Sequence, residues 1–211
     1  APIICSDEFT DITLQASVIG SSFTYTVVDP KGTGAVGGVG VIGDVISQQL
    51  FNTTQTPVTI TYAITPTGPG ATACPGTTVF EDVTVNPLPI TSAITGIDTV
   101  CEGTPNLVFS VVHTADSYYE WTIPGSIGSQ TFGGSGLDSY AVIMLAGNPT
   151  AQVTDSIWVF ETNQYGCTRD TVYHPVTIIP FPATQNITGD ASVCALSTHT
   201  YSIPDNPGST Y

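Results

Sequence analysis

The chain is predicted to be all-β, built from tandem β-sandwich modules joined by short Pro-x-Pro linkers. Three observations carry this. Apolar residues fall in short β-branched and aromatic runs, and no stretch shows the 3.6-residue stripe and capping signals of a helix. Gly and Pro, 21 and 16 of the 211 residues, punctuate those runs with turn chemistry. The sequence also repeats itself. Ile94-Thr-Gly-Ile-Asp-Thr-Val-Cys101 recurs as Ile187-Thr-Gly-Asp-Ala-Ser-Val-Cys194 at an offset of 93. The same offset separates Pro87-Leu-Pro89 from Pro180-Phe-Pro182 and Cys74 from Cys167, while Cys5 and Cys101 differ by 96. A period of this length marks a modular array. The expected division is residues 1–88, 89–181, and the opening part of a third module over 182–211.

Within module one, strands are expected over Thr10–Ser17, Ser22–Val28, Val58–Thr65 and Thr77–Val85. Module two repeats them at Asn106–His113, Tyr118–Ile123, Ser139–Leu145, Asp155–Thr162 and Asp170–Ile179. Turns are expected at Asp29-Pro30-Lys31-Gly32, Gly68-Pro69-Gly70 and Gly147-Asn148-Pro149. About seven short strands per module is the pattern of a β-sandwich, with Trp121 on a central strand facing the core. Proline fixes φ and biases its predecessor toward extended geometry, so the Pro-x-Pro joints are short and semi-rigid. Modules joined this way make a rod.

Composition removes several functions. Seventeen Asp and Glu stand against two basic residues, a formal charge of −15. Lys31 and Arg169 cannot form the basic stripe that a nucleic-acid partner requires. An apolar fraction of 41% argues against disorder. The most apolar stretch, Ala35 to Ile46, is broken by Gly37, Gly38, Gly40, Gly43 and Asp44, whereas a membrane span needs about 20 apolar residues. The start, Ala1-Pro2-Ile3, has no signal-peptide pattern, as expected of a processed protein or a piece of a longer one.

The order apolar-Cys, strand, Tyr119-Glu-Trp-Thr-Ile-Pro124, Gly-rich loop, Val153-Thr-Asp-Ser-Ile-Trp-Val-Phe-Glu-Thr162 through Cys167, strand and Pro-x-Pro resembles the Ig-like and PKD-like repeats of giant Bacteroidota surface proteins. Gliding-motility adhesins and other cargo of the type IX secretion system carry such repeats in tandem. Module one resembles a related version through its PIICS, SFTYTVV, VTITYAITPT and VTVNPLP segments. The resemblance covers the whole chain. It implies a location outside the cell on a bacterial surface. It also implies partners among the neighbouring modules of the same long chain, the secretion or attachment machinery, or surface glycans.

The two complete modules place their cysteines alike, Cys5 and Cys74 being 69 apart and Cys101 and Cys167 66 apart. Each first cysteine precedes the first long strand and each second sits in the turn before the last. The expectation is two intramodular disulfides, Cys5–Cys74 and Cys101–Cys167, with the partner of Cys194 outside the chain. No CxxC pair occurs.

Other motifs weigh less. Gly32-Thr-Gly34-Ala-Val-Gly37 spells GxGxxG, but Gly38, Gly40 and Gly43 follow, so no helix can start and the segment reads as a loop. His113, His174 and His199 show no metal or GxSxG spacing, and the chain is read as a non-enzyme. No cofactor is expected beyond a weak calcium candidate at Asp98 and Glu102, with Asp7, Glu8 and Asp11 a second acidic group. Thr99, Ser156 and Thr171 stand in Asp-Ser/Thr-aliphatic triplets similar to the O-glycosylation acceptor of exported Bacteroidota proteins, although Ile157 and Val172 also fit inward strand positions. Asn52 and Asn186 head N-glycosylation sequons that carry no weight in a bacterial setting.

The function expected is a structural segment of an adhesin or filament stalk. Two alternatives stand beside it. One is a glycan-binding module using Tyr118, Tyr119 and Trp121 as a stacking platform. The other is a linker array of a secreted enzyme. At an offset of 92, Phe109-Ser-Val111 aligns with Tyr201-Ser-Ile203 and Ser117-Tyr-Tyr119 with Ser209-Thr-Tyr211, so the natural chain is expected to run on past Tyr211 to a tryptophan.

Overall fold

The computed structural model describes residues 1–70, 73–133, 135–136, 140–145, 151–182 and 185–205. The turn expected at Gly147-Asn148-Pro149, Ser139 and the Ser209–Tyr211 alignment lie outside the described residues. Every named element among them is a strand.

Module one contains β1 (Ile3–Cys5), β2 (Ile12–Thr13), β3 (Ser22–Val28), β4 (Gly38–Val41), β5 (Val45–Ile46), β6 (Val58–Thr67) and β7 (Val79–Asn86). A five-stranded sheet runs β1-β7-β6-β3-β4, faced by the short β2-β5 pair. Module two contains β8 (Thr99–Cys101), β9 (Leu107–Ser110), β10 (Tyr118–Thr122), β11 (Gly128–Gly133), β12 (Ser135–Gly136), β13 (Tyr140–Leu145), β14 (Val153–Thr162) and β15 (Val172–Ile179). Its large sheet runs β8-β15-β14-β10-β12, the same order by repeat equivalence, faced by β9-β13-β11. The shared topology follows from the shared inward alternation. Ile60, Tyr62 and Ile64 on β6 point into one core, and Ile157 and Val159 on β14 into the other.

Each module buries its own apolar cluster. Tyr62, Leu50, Phe23, Val83 and Val85 pack in module one; Phe109, Tyr119, Trp121, Ile143 and Val176 pack in module two. Trp121 sits on β10 facing the core, as its position in the repeat predicts.

Two strand expectations are corrected. Thr10–Ser17 is not one long strand: only Ile12–Thr13 form a ladder, with β5 of the glycine-rich segment, while β4 of that segment pairs with β3. That segment is therefore partly strand, and its glycines explain how. A Cβ on Gly37 would lie 2.7 Å from the Tyr25 carbonyl oxygen, so glycine lets the chain approach β3 closely as it enters β4. The second correction concerns β1 and β8, which the sequence hides because each is three residues long. Both pair in parallel with the last strand of their module: Cys5 stands opposite Asn86 and Cys101 opposite Ile179.

Candidate functional site: the junction between the modules

The parallel pairing of β1 decides which cysteines can meet. Cys5 lies at the C-terminal end of β7, whereas Cys74 lies in the β6–β7 hairpin, where Thr67 bridges to Pro75. Those positions are separated by the length of an eight-residue strand, roughly 23 Å, against a disulfide Cα–Cα limit of about 7 Å. The same geometry separates Cys101, at the end of β15, from Cys167 in the β14–β15 hairpin. The expected pairings Cys5–Cys74 and Cys101–Cys167 are thus replaced by a different one. Cys5 is joined to Cys167 across the modules, with a Cα–Cα distance of 5.6 Å and a sequence separation of 162. Cys74 and Cys101 take no part in that bridge.

Side chains around the bridge hold the linker. Pro87 and Pro89 are buried, so this joint is packed as well as conformationally restricted. Asn163 organises the hairpin: its Oδ1 accepts from the N–H groups of Tyr165 (3.0 Å) and Cys167 (3.1 Å), aiming the cysteine. Its Nδ2 donates to the Pro87 carbonyl at 2.8 Å, tying hairpin to linker. Glu161 is 1% exposed and accepts from the Thr91 hydroxyl at 3.0 Å. From module one, Ser6 N–H donates to the Asn86 carbonyl, and the Ser6 hydroxyl accepts from Asn52 N–H. Sequence reading missed Glu161 and Asn163. The signal for the second was present as Asn163-x-x-Gly166-Cys167, a turn in which an Asn side chain caps the following amides.

A cleft of about 500 Å³ opens beside the bridge, lined by Asp7 and Glu8 from module one and Arg169 and Asp170 from module two. Among the described residues, no three His, Cys, Asp or Glu side chains are grouped to hold a metal ion. Asp98, the calcium candidate, lies 3.2 Å from His174 Nε2 and is itself largely exposed; Glu102 N–H donates to the Ile179 carbonyl. Asp7 Oδ1 accepts from Gln49 Nε2, and Glu8 carboxylate from Cys5 N–H.

The aromatic platform does not form as such. Tyr119 and Trp121 are core residues at 0% and 5% exposure, leaving Tyr118 alone at the surface. Of the glycosylation candidates, Thr99 is exposed on the edge strand β8, while Ser156 and Thr171 are half-buried. Ile157 is fully buried and Val172 packs against the core, the inward positions their alternation suggests. His113 packs near Tyr119 and His174 edge-on to Phe109. His199 was missed as part of a hydrogen-bonded series: Asp190 Oδ2 lies 2.6 Å from its Nδ1 and Ser197 Oγ 2.5 Å from its Nε2. The Ser197 hydroxyl also donates to the Cys194 carbonyl at 2.6 Å, closing a turn. Thr104 makes the same contact to Cys101 one repeat earlier, so this hydroxyl belongs to a structural turn of the repeat.

Two sandwiches of one topology, in tandem and covalently clasped at their joint, define a modular structural chain. The comparisons name its kind: PKD-like domain profiles match residues 2–89 and 87–173, and the chain belongs to the PKD-like domain family. Among curated proteins nothing matches. Solved structures that resemble it include protocadherin gamma B2 extracellular cadherin domains 3–6, at 12% identity and a TM-score of 0.33 over 86% of this chain and 49% of that one. A protocadherin gammaB7 EC3–6 cis-dimer structure matches at 11% identity and 0.30, over 87% and 46%. The chain thus spans about half the length of these structures. No helix among the described residues is long and apolar enough to cross a membrane.

Proposed function

We propose that the chain is a structural, force-carrying segment of an extracellular multi-module adhesin or surface filament stalk. The observation that carries this reading is the Cys5–Cys167 bridge. Tension applied between residues 1 and 182 runs through the disulfide, bypassing the 162-residue separation it closes. A covalent bond then carries the force past β2 to β14, leaving only β1 and β15 in the load path. The buried linker prolines and the Asn163 contact to Pro87 hold the joint stiff while the bond holds it closed.

A disulfide of this kind belongs to an oxidising compartment, which fits a bacterial cell-surface location and export through type IX secretion. Residues 1–88 and 89–181 are the two modules and 182–211 opens a third. The partners are the neighbouring modules, with secretion or attachment machinery or surface glycans beyond them. Thr99, exposed on its edge strand, is the best-placed acceptor for O-glycosylation. The chain itself catalyses nothing.

Single-molecule pulling on residues 1–182 from both ends tests the load path. The oxidised chain should release little contour length. After reduction it should release roughly 500 Å more, the extended length of the bypassed segment. Full extension of the oxidised chain would remove the basis of this reading.

A further inference from the structure

We infer that Cys101 is the clasp cysteine of the next junction, forming a disulfide with the hairpin cysteine of a module that follows residue 181. The inference deepens the modular reading above and rests on it. Its ground is that Cys101 repeats the strand pairing, the flanking hydrogen bond and the left-handed turn of the bridged Cys5, so the bond made by one is the template for the other.

Both cysteines end a three-residue first strand paired in parallel with the module's last strand, at partners 93 residues apart, Asn86 and Ile179. The next residue donates its N–H to that same partner carbonyl: Ser6 to Asn86 at 2.8 Å and Glu102 to Ile179 at 2.9 Å. The residue after that is left-handed in both, Asp7 at φ 77° and Gly103 at φ 70°. Three residues on, the chain bonds back to the cysteine carbonyl, from Glu8 N–H in one and Thr104 Oγ1 in the other. Leu88 lines the cleft with Cys5 and Asp7 at the first junction, and its repeat counterpart Phe181 lies 3.6 Å from a Cβ built on Gly103. Cys101 is exposed at the end of its module, facing the direction in which the chain leaves.

The segment after the second linker supplies an independent observation. Thr188 and Ser202 exchange backbone hydrogen bonds as Thr95 and Ser110 do. A Cβ on Gly189 would strike the Tyr201 ring as one on Gly96 would strike Phe109. Cys194 begins the same turn, with Leu196 at φ 69° and Ser197 N–H on the Cys194 carbonyl. This segment therefore enters its own fold as module two does after the first linker. A hairpin placed there as Cys167 is placed in module two would bring its cysteine to Cys101.

The chemistry is thiol–disulfide exchange. Two thiols lose two protons and two electrons to a protein or small-molecule disulfide, which leaves as the dithiol, and one S–S bond forms between the modules.

The test is peptide mapping of the exported full-length protein, alkylated and digested without reduction. Cys101 should be recovered only in a disulfide-linked peptide whose second cysteine lies one repeat beyond Cys167. Substituting Cys101→Ser should abolish that linked peptide and leave the Cys5–Cys167 one unchanged. Recovery of alkylated Cys101, or of Cys101 joined to Cys74, Cys167, Cys194 or a small thiol, would overturn the inference. Pulling on residues 1–182 reads the Cys5 clasp alone, so the two conclusions fail separately.

Discussion

Replacing Cys5 or Cys167 with serine should lower the same melting transition, although the two residues belong to different modules. With module two folded, Cys167 and the linker are fixed, so unfolding module one opens a loop from Cys5 to the linker of roughly 80 residues. The chain-entropy relation gives about 15 cal/mol/K for closing such a loop, or about 4.5 kcal/mol at 25 °C. The linker to Cys167 is about as long, so whichever module unfolds first gains this amount, and the second adds little because the full 162-residue loop is worth about 5 kcal/mol in all. Native disulfides return about 2–5 kcal/mol, and a domain of this size shifts about 4–8 °C per kcal/mol, so the first transition should fall by roughly 10–40 °C. Differential scanning calorimetry of oxidised wild type, Cys5→Ser, Cys167→Ser and the double variant reads this directly. Each single variant should lower the first transition by the same amount and the second only slightly, and the double should match the singles because they break one bond. Intramodular bridges would behave differently, with Cys5→Ser lowering only module one and Cys167→Ser only module two. That pattern, or a double variant losing twice as much, would refute the clasp.

Asn163→Ala removes the contact to Pro87 and two capped amides and should cost about 1–3 kcal/mol, read by urea denaturation of oxidised protein. Asn163→Asp keeps the capping oxygen but loses the donor, so small-angle scattering should show a broader range of junction angles with little stability change. Burial, and then the neighbouring Tyr25, push the Tyr62 phenol up to about 12 from its ordinary 10. Because the folded value is raised, the stability it confers is complete below pH 10 and lost as pH rises toward 12; Tyr62→Phe should flatten that decline in alkaline denaturation. The Ser126 hydroxyl, 2.6 Å from Asp155, and the Ser156 amide hold that carboxyl below its usual range. In Ser126→Ala, carboxyl NMR titration should find it moved up. Purified protein should not hydrolyse activated esters above the background rate, and His199→Ala should leave that rate unchanged.

The sequence by itself determined the layers and the modularity. Alternation along Val153–Thr162 fixes Ile157 and Val159 inward whatever surrounds them, because strand periodicity is a local property. The 93-residue offset carried the shared topology for the same reason: equal local patterns make equal sheets. Ser22–Val28 and Tyr118–Thr122 were legible at nearly their full lengths. Short strands were not. Three residues of β1 or β8 hold no period, and their pairing comes from a last strand some 80 residues away.

That non-local choice is what misdirected the cysteine pairing. Sequence spacing located each cysteine beside the right strand but not at which end of it, and parallel addition of β1 puts Cys5 at the end opposite Cys74. The glycine-rich segment shows the same limit, since β4 pairs with β3 and β5 with β2, and Leu14 and Tyr25 from those partners' segments lie against Gly40 and Gly38. Glu161 alternates as an inward residue in a run of apolar ones, and only the packed junction supplies the Thr91 hydroxyl it bonds. Local chemistry thus wrote the strands and the repeat into the chain. The clasp depended on which strand ends the folded sandwiches bring together, a long-range geometric relation that single-sequence periodicity does not encode.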